Sequence, residues 1–170
     1  MRVALTGTPG TGKTTVADLV ETDLDVVHLN DVVREEGLYT DRDEKRDSLV
    51  ADLDAVVERY ASATDVLVES HLAHYLDDLD RIVVLRCEPG ALERRLRERG
   101  ESEATARENA ESEALDVILA EAVERHGAER VYEVDTTDRT PDAVAAEVAA
   151  VLRGDRDPSA GDVDFTGYLL

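Results

Sequence analysis

Cysteine, lysine and long apolar runs are all scarce in this chain of 170 residues. A single cysteine, Cys87, excludes an internal disulfide and a cysteine-rich zinc site, and it suits a reducing compartment. Uninterrupted runs of Val, Ile and Leu reach only four residues, as in Ile82-Val83-Val84-Leu85, against the ~20 apolar residues that a membrane helix needs. Met1 and Arg2 lead straight into Val3-Ala4-Leu5-Thr6, with no apolar stretch of signal-peptide length, so the expected location is cytoplasmic. A chain of this length buries roughly two-thirds of its unfolded surface, which predicts one domain with a small mobile insert.

Positive charge is the other shortage. Nineteen cations face 40 acids, for a formal net charge of −21, and only Lys13 and Lys45 are lysines. The acids are spread along the chain and not gathered into a tail. Such a surface repels itself in dilute buffer, but in molar salt the screening length falls to ~3 Å and the penalty fades. This pattern reads as a salt-adapted protein, with an ordinary acidic enzyme as the alternative. Non-specific affinity for nucleic acid is disfavoured either way, so any RNA-related role requires a specific partner.

Aliphatic runs alternate with amphipathic stretches from end to end. Residues 3–6, 26–28, 66–69, 82–86 and 131–134 are β-branched and too apolar to leave one face wet, as in a parallel sheet covered on both sides. Helical spacing links Val16, Leu19 and Val20, then Leu49, Leu53, Val56, Val57 and Tyr60, then Leu92 and Leu96, then Leu115, Ile118, Leu119 and Ala122. A last helix opens with Thr140 as N-cap and Pro141 in its first turn, burying Val144, Val148 and Val151. The order predicts a doubly wound α/β domain that binds ligands at the carboxyl ends of its strands. After Arg153 a polar, Gly-containing segment reads as a linker, and the terminal stretch with Phe165 and Tyr168 either docks on the domain or frays.

Gly7-Thr8-Pro9-Gly10-Thr11-Gly12-Lys13-Thr14 fits the phosphate-loop (P-loop) pattern and falls between the first strand and the first helix. Glycines let consecutive backbone N–H groups curl around phosphate oxygens, and the helix N-terminus adds a favourable dipole. Lys13 is expected to bridge β- and γ-phosphate, and Thr14 to offer its hydroxyl to Mg²⁺. Glu69 ends an apolar strand, where an acid either holds the Mg²⁺ hydration shell or merely caps a helix. His71 either orients a water or phosphate or, with His74, simply begins a helix. Arg34 follows the second strand and is placed to grip a monophosphate, or else pairs with Glu35 or Glu36 on the surface. Arg94, Arg95, Arg97 and Arg99 cluster beside Gly100; Arg99, at the hinge, is the foremost candidate for phosphate contact.

The opening Leu5-Thr6-Gly7-Thr8-Pro9-Gly10-Thr11-Gly12-Lys13-Thr14-Thr15 is similar to adenylate kinases. With Arg34-Glu35-Glu36-Gly37-Leu38-Tyr39, Val68-Glu69-Ser70-His71, Arg95-Leu96-Arg97-Glu98-Arg99-Gly100, Asn109 and Glu113 in that order, residues 1–152 resemble the adenylate kinase isoenzyme 6 family, also called the coilin-interacting nuclear ATPases. The resemblance implies a P-loop NTPase with a five-stranded parallel sheet of adenylate kinase type, helices on both faces and a short lid. It places the main domain at 1–153, the nucleoside-monophosphate region at 28–51, the lid at 98–108 and a tail at 154–170. The expected ATP-binding set is Gly10, Thr11, Gly12, Lys13, Thr14, Thr15, Arg99 and Arg139. The monophosphate set is Asp31 and Arg34, the metal set Thr14 and Glu69, and the catalytic set Lys13, Arg99 and His71. Many members of that family carry Asp where this chain has Glu69, one methylene longer, and a water-mediated contact to Mg²⁺ accommodates it. The implied activities are phosphoryl transfer from ATP to AMP and an ATPase that assists small ribosomal subunit maturation through the eleventh small-subunit ribosomal protein. A P-loop kinase of a small metabolite, of shikimate kinase type, is the third reading.

Overall fold

The computed structural model describes residues 1–45 and 48–170; Arg46 and Asp47, inside the 28–51 segment, lie outside the described residues. The strands are β1 (Arg2–Gly7), β2 (Asp25–His28), β3 (Tyr39–Asp43), β4 (Ser48–Ala51), β5 (Val66–Glu69), β6 (Arg81–Arg86) and β7 (Val131–Asp135). The helices are α1 (Lys13–Leu19), α2 (Leu29–Glu36), α3 (Leu53–Tyr60), α4 (Pro89–Glu98), α5 (Glu103–Ala114), α6 (Val117–His126) and α7 (Pro141–Arg153). Five strands make one parallel sheet in the order β2-β5-β1-β6-β7. Each of the five apolar runs read from the sequence forms one of these strands; four are buried on both faces, whereas β2, at the sheet edge, leaves Val26 37% exposed and is not the doubly covered strand expected.

Side chains alternate across the sheet, and each face has its own helices. Val3, Leu5, Val83 and Leu85 pack against Val16 and Ala17 of α1 and Val144 and Val148 of α7. Ala4, Val68, Ile82 and Val84 face the opposite way, onto Val56 and Tyr60 of α3 and Leu119 and Ala122 of α6. The period of two along β1 therefore splits the core into two layers. Helix α7 begins as expected: the Thr140 hydroxyl accepts the Ala143 N–H at 3.2 Å and Pro141 occupies the first turn.

Some local readings are corrected. Leu49 does not extend the α3 stripe; it lies in β4, opposite Arg42 of β3 in an antiparallel hairpin. The reason is Asp52, whose carboxylate accepts the Ala55 N–H at 3.1 Å and so starts the helix after Leu49. Leu115 is 60% exposed, because Asp116, at φ 56°, breaks the chain between α5 and α6 and turns it outward. Leu19 is likewise exposed at the end of α1. His71 and His74 do not begin a regular helix: a single 3-10 turn, Ala73–Tyr75, follows β5.

The polar segment expected to be a linker instead follows the free edge of β7. Ser159 N–H donates to the Val131 carbonyl at 3.0 Å, and Glu133 N–H donates to Ser159 Oγ at 2.9 Å. Further on, Val163 N–H reaches Glu133 Oε2 at 3.1 Å and Tyr168 Oη donates to Glu93 of α4 at 3.0 Å. The Phe165 ring lies 5.4 Å from the Arg86 guanidinium. Unpaired N–H and C=O groups on an edge strand are what this segment satisfies. Among the described residues, no helix is long and apolar enough to cross a membrane.

Candidate active site

Strand β1 is central, and the chain leaves its carboxyl end as the Gly-rich loop before α1. Three groups converge on the Thr8 carbonyl: Thr11 Oγ1 at 2.8 Å, Thr11 N–H at 3.3 Å and Lys13 Nζ at 3.1 Å. These contacts close the loop into a ring around the Thr8 carbonyl at the start of α1. Gly10 has no substitute in that ring. Its φ is +92°, and a Cβ there would stand 2.8 Å from Leu96 Cδ2 and 2.9 Å from Leu92 Cδ1, so α4 packs on the bare backbone. Burial pushes the Lys13 ammonium down to about 8, with Glu69 opposing that fall. Lys13 is still mainly a cation at pH 7.

Strand β5 delivers Glu69 beside the loop, since Glu69 pairs in register with Leu5 of β1 on one side and His28 of β2 on the other. Glu69 is 4% exposed. Its Oε1 accepts the Thr14 hydroxyl at 3.2 Å and a ring N–H of His28 at 2.7 Å. The hydrogen bond to Glu69 raises the His28 imidazole despite partial burial, and Asp18, 2.8 Å from Nε2, adds to the rise. His71 behaves oppositely. Burial, aided by Lys13 and His74, pushes it down to about 4, so it faces the site as a neutral imidazole.

Two cavities flank the loop. The first, of about 560 Å³, is lined by Lys13, Thr14, Glu69, His71 and Arg99, with Asn30 of α2 and Asn109 of α5. The second, of about 310 Å³, is lined by Thr11, Arg95, Thr136, Arg139 and Pro141. Gly10, Gly12 and Thr15 border both. A ligand with a phosphate chain on the loop thus has room on either side. Thr14 and Glu69 present oxygen donors of the kind a hard dication takes. Among the described residues, no cluster of three His, Cys, Asp or Glu side chains could hold a metal alone. That donor set fits Mg²⁺, which characteristically takes one or two protein oxygens and completes its shell with phosphate and water.

Comparison with known proteins decides the family. An AAA domain model matches residues 3–116. A protein of Halobacterium salinarum named "Putative adenylate kinase" is 63% identical over 99% of this chain and 100% of its own length. A protein of the same name from Natronomonas pharaonis is 62% identical with the same coverage. The chain belongs to the archaeal adenylate kinase family. A more distant member from Methanosarcina acetivorans is 44% identical over 89% of this chain and 86% of its own. The fold extends further: shikimate kinase from Bacteroides thetaiotaomicron superposes with a TM-score of 0.61 at 18% identity, over 91% of this chain and 98% of that one.

In this adenylate kinase relative, the monophosphate candidates lie apart from both cavities. Asp31 and Arg34 bond each other at 2.6 Å on the exposed face of α2, so the surface partner of Arg34 is Asp31 and not Glu35 or Glu36. Arg99 caps α4 and reaches the first cavity, 3.8 Å from Glu101. Arg139 bonds the Asp135 carbonyl at 3.0 Å and pairs with Glu147 while bordering the second cavity. Residues 98–108, expected to form a lid, comprise the last residue of α4, a short connection at Gly100 and the first turns of α5. Sequence reasoning missed Arg95, which donates to Thr136 Oγ1 and to its carbonyl at 3.2 and 3.0 Å. It stood among the clustered arginines, but only the return of β7 beside α4 singles it out. His28 was also missed, because a lone histidine at the end of a strand has no pattern to distinguish it.

Proposed function

We propose that the chain is a nucleoside monophosphate kinase that transfers the γ-phosphoryl of ATP to AMP. The observation that carries this reading is the 560 Å³ cavity, which joins the phosphate loop, an oxygen pair suited to Mg²⁺ and a second side lined by uncharged polar groups. Names and high identity of full-length relatives support it. In this reading the ATP phosphates lie on Gly10, Thr11, Gly12, Lys13, Thr14 and Thr15, with the base toward Arg139. Lys13 and Arg99 hold the phosphate charge as it spreads from the transferring group to the leaving β-phosphate. Mg²⁺, held by Thr14 and, through water, Glu69, would neutralise charge on the β- and γ-oxygens. An AMP phosphate oxygen forms the new P–O bond as the β,γ-bridging bond breaks, giving two ADP. AMP is already an anionic nucleophile, so no general base is needed.

While α2 buries Leu29 and Val33, its exposed face carries Asp31 and Arg34, and an acceptor phosphate would take the place of Asp31 as the partner of Arg34. The neutral imidazole of His71 supports a second activity, ATP hydrolysis, in which it accepts a hydrogen bond from the attacking water. The isoenzyme 6 resemblance adds small-subunit ribosome maturation with a ribosomal protein partner, and the charge pattern a salt-adapted cytoplasmic setting. The experiment is to follow ADP formed from ATP with AMP, shikimate or no acceptor. Two ADP per AMP consumed is expected. Dependence on shikimate, or a rate indifferent to any acceptor, would overturn the nucleoside monophosphate kinase reading. His71→Ala is expected to depress acceptor-free hydrolysis more than transfer to AMP, and hydrolysis at the wild-type rate would remove His71 from the site.

A further inference from the structure

Glu69 has one more rotatable bond than the aspartate that a strand end could carry, and that freedom must be removed if the carboxylate is to meet a metal's water shell in one orientation. The structure contains the means. His28 is the register partner of Glu69 across β2 and β5, so the backbone fixes their spacing before any side chain is placed. One ring nitrogen bonds Glu69 Oε1 at 2.7 Å and the other bonds Asp18 Oδ1 on α1 at 2.8 Å. Both acceptors are carboxylates, so both ring nitrogens donate, and the imidazole plane is held from two sides. Thr14 also donates to Oε1. Both contacts to Glu69 fall on one oxygen, Oε1. Among the described residues none reaches Oε2, while Glu69 itself lines the cavity.

We propose that His28 is the positioning residue that clamps Glu69 Oε1 and so turns Oε2 toward the water shell of the dication. The inference rests on the reading of Glu69 as the metal-holding acid. His28 touches neither nucleotide nor metal in this role. It also stands immediately before α2, so the acid and the acceptor-side helix share one fixed point in the chain.

The test measures Mg²⁺-dependent binding of a fluorescent ATP analogue to the full chain, with binding in EDTA and metal-free melting temperatures alongside. Asparagine places an amide N–H near the ring nitrogen that faces Glu69, whereas glutamine places one near the nitrogen that faces Asp18. The Mg²⁺ concentration for half-saturation is expected to rise about tenfold in His28→Ala and His28→Gln, the order typical of losing an outer-shell partner. His28→Asn is expected to stay near wild type, and all three to bind the analogue normally in EDTA. A wild-type Mg²⁺ requirement in His28→Ala, or equal losses in all three variants, would overturn the proposal. So would variants that lose only metal-free melting temperature, since that pattern marks a purely structural residue. Glu69→Gln separates the two levels. If it raises the Mg²⁺ requirement while His28→Ala does not, only the positioning role fails; if it leaves the requirement unchanged, the reading of Glu69 fails and the inference with it.

Discussion

Lys13→Met should make the ligand-free protein more stable while destroying its phosphate site. Lys13 is 8% exposed, and burial depresses its ammonium from 10.5 to about 8. At ~1.4 kcal/mol per pH unit, keeping that charge buried at pH 7 costs about 3 kcal/mol. Methionine has similar length and no charge, but it forfeits the hydrogen bond to the Thr8 carbonyl, worth about 1 kcal/mol. A net gain of about 2 kcal/mol remains, or a melting temperature higher by about 4–8 °C for a chain of this size. The pH dependence has a definite sign. Between about pH 8 and 10.5 the unfolded chain keeps a lysine proton that the folded chain has released, so wild-type stability rises across that window relative to the variant. Below pH 8 the gap in favour of methionine is full. Differential scanning fluorimetry in ligand-free buffer at pH 7 and pH 10 reads both effects, and ATP binding should be lost in parallel. A variant no more stable than wild type at pH 7, or a stability gap that does not narrow by pH 10, would refute the burial argument.

Arg34→Ala should raise the KM for AMP in coupled ADP assays and spare acceptor-free ATP hydrolysis, because the side chain is exposed on α2 and pairs, among the described residues, with Asp31. Equal damage to both activities would remove Arg34 from the acceptor side. Arg86→Met should cost about 3–5 kcal/mol in chemical denaturation, since the fully buried guanidinium faces Glu113, Glu133 and Asp116, and its loss leaves buried acids unpaired. A loss below about 1 kcal/mol would show those acids to be protonated or solvated. The melting temperature should climb from dilute buffer to molar KCl, as screening relieves a formal charge of −21; a steady fall would contradict the salt-adapted reading.

The candidate site divides into parts that the sequence displays and parts that it does not. Gly7 to Thr14 could be read directly because the phosphate loop is one continuous segment whose every residue type has a local geometric cause. Glu69 could be read because it ends an apolar strand. Arg95, Thr136 and Arg139, of which only Arg139 was expected, come from α4, the end of β7 and the approach to α7, and they meet only where α4 lies beside the carboxyl end of β7. The hairpin of β3 and β4 was hidden because Leu49 and Leu53 happen to be four residues apart, a spacing that suits a helix until the Asp52 cap is seen to start α3 after it.

What the sequence determined by itself is what depends on neighbours along the chain. Apolar runs without alternation require burial on both faces, amphipathic stretches require a sheet to cover, and glycines before Lys13 require a loop that binds with its backbone. Tertiary structure alone decided which strands lie side by side. The order β2-β5-β1-β6-β7 sets His28 against Glu69 and Glu69 against Leu5, although 41 residues separate the first two in the chain. It also set the tail along the edge of β7 and enclosed Arg86 among three acids. Hydrogen bonds between strands and ion pairs in the core depend on distances in space that no local pattern of residues encodes.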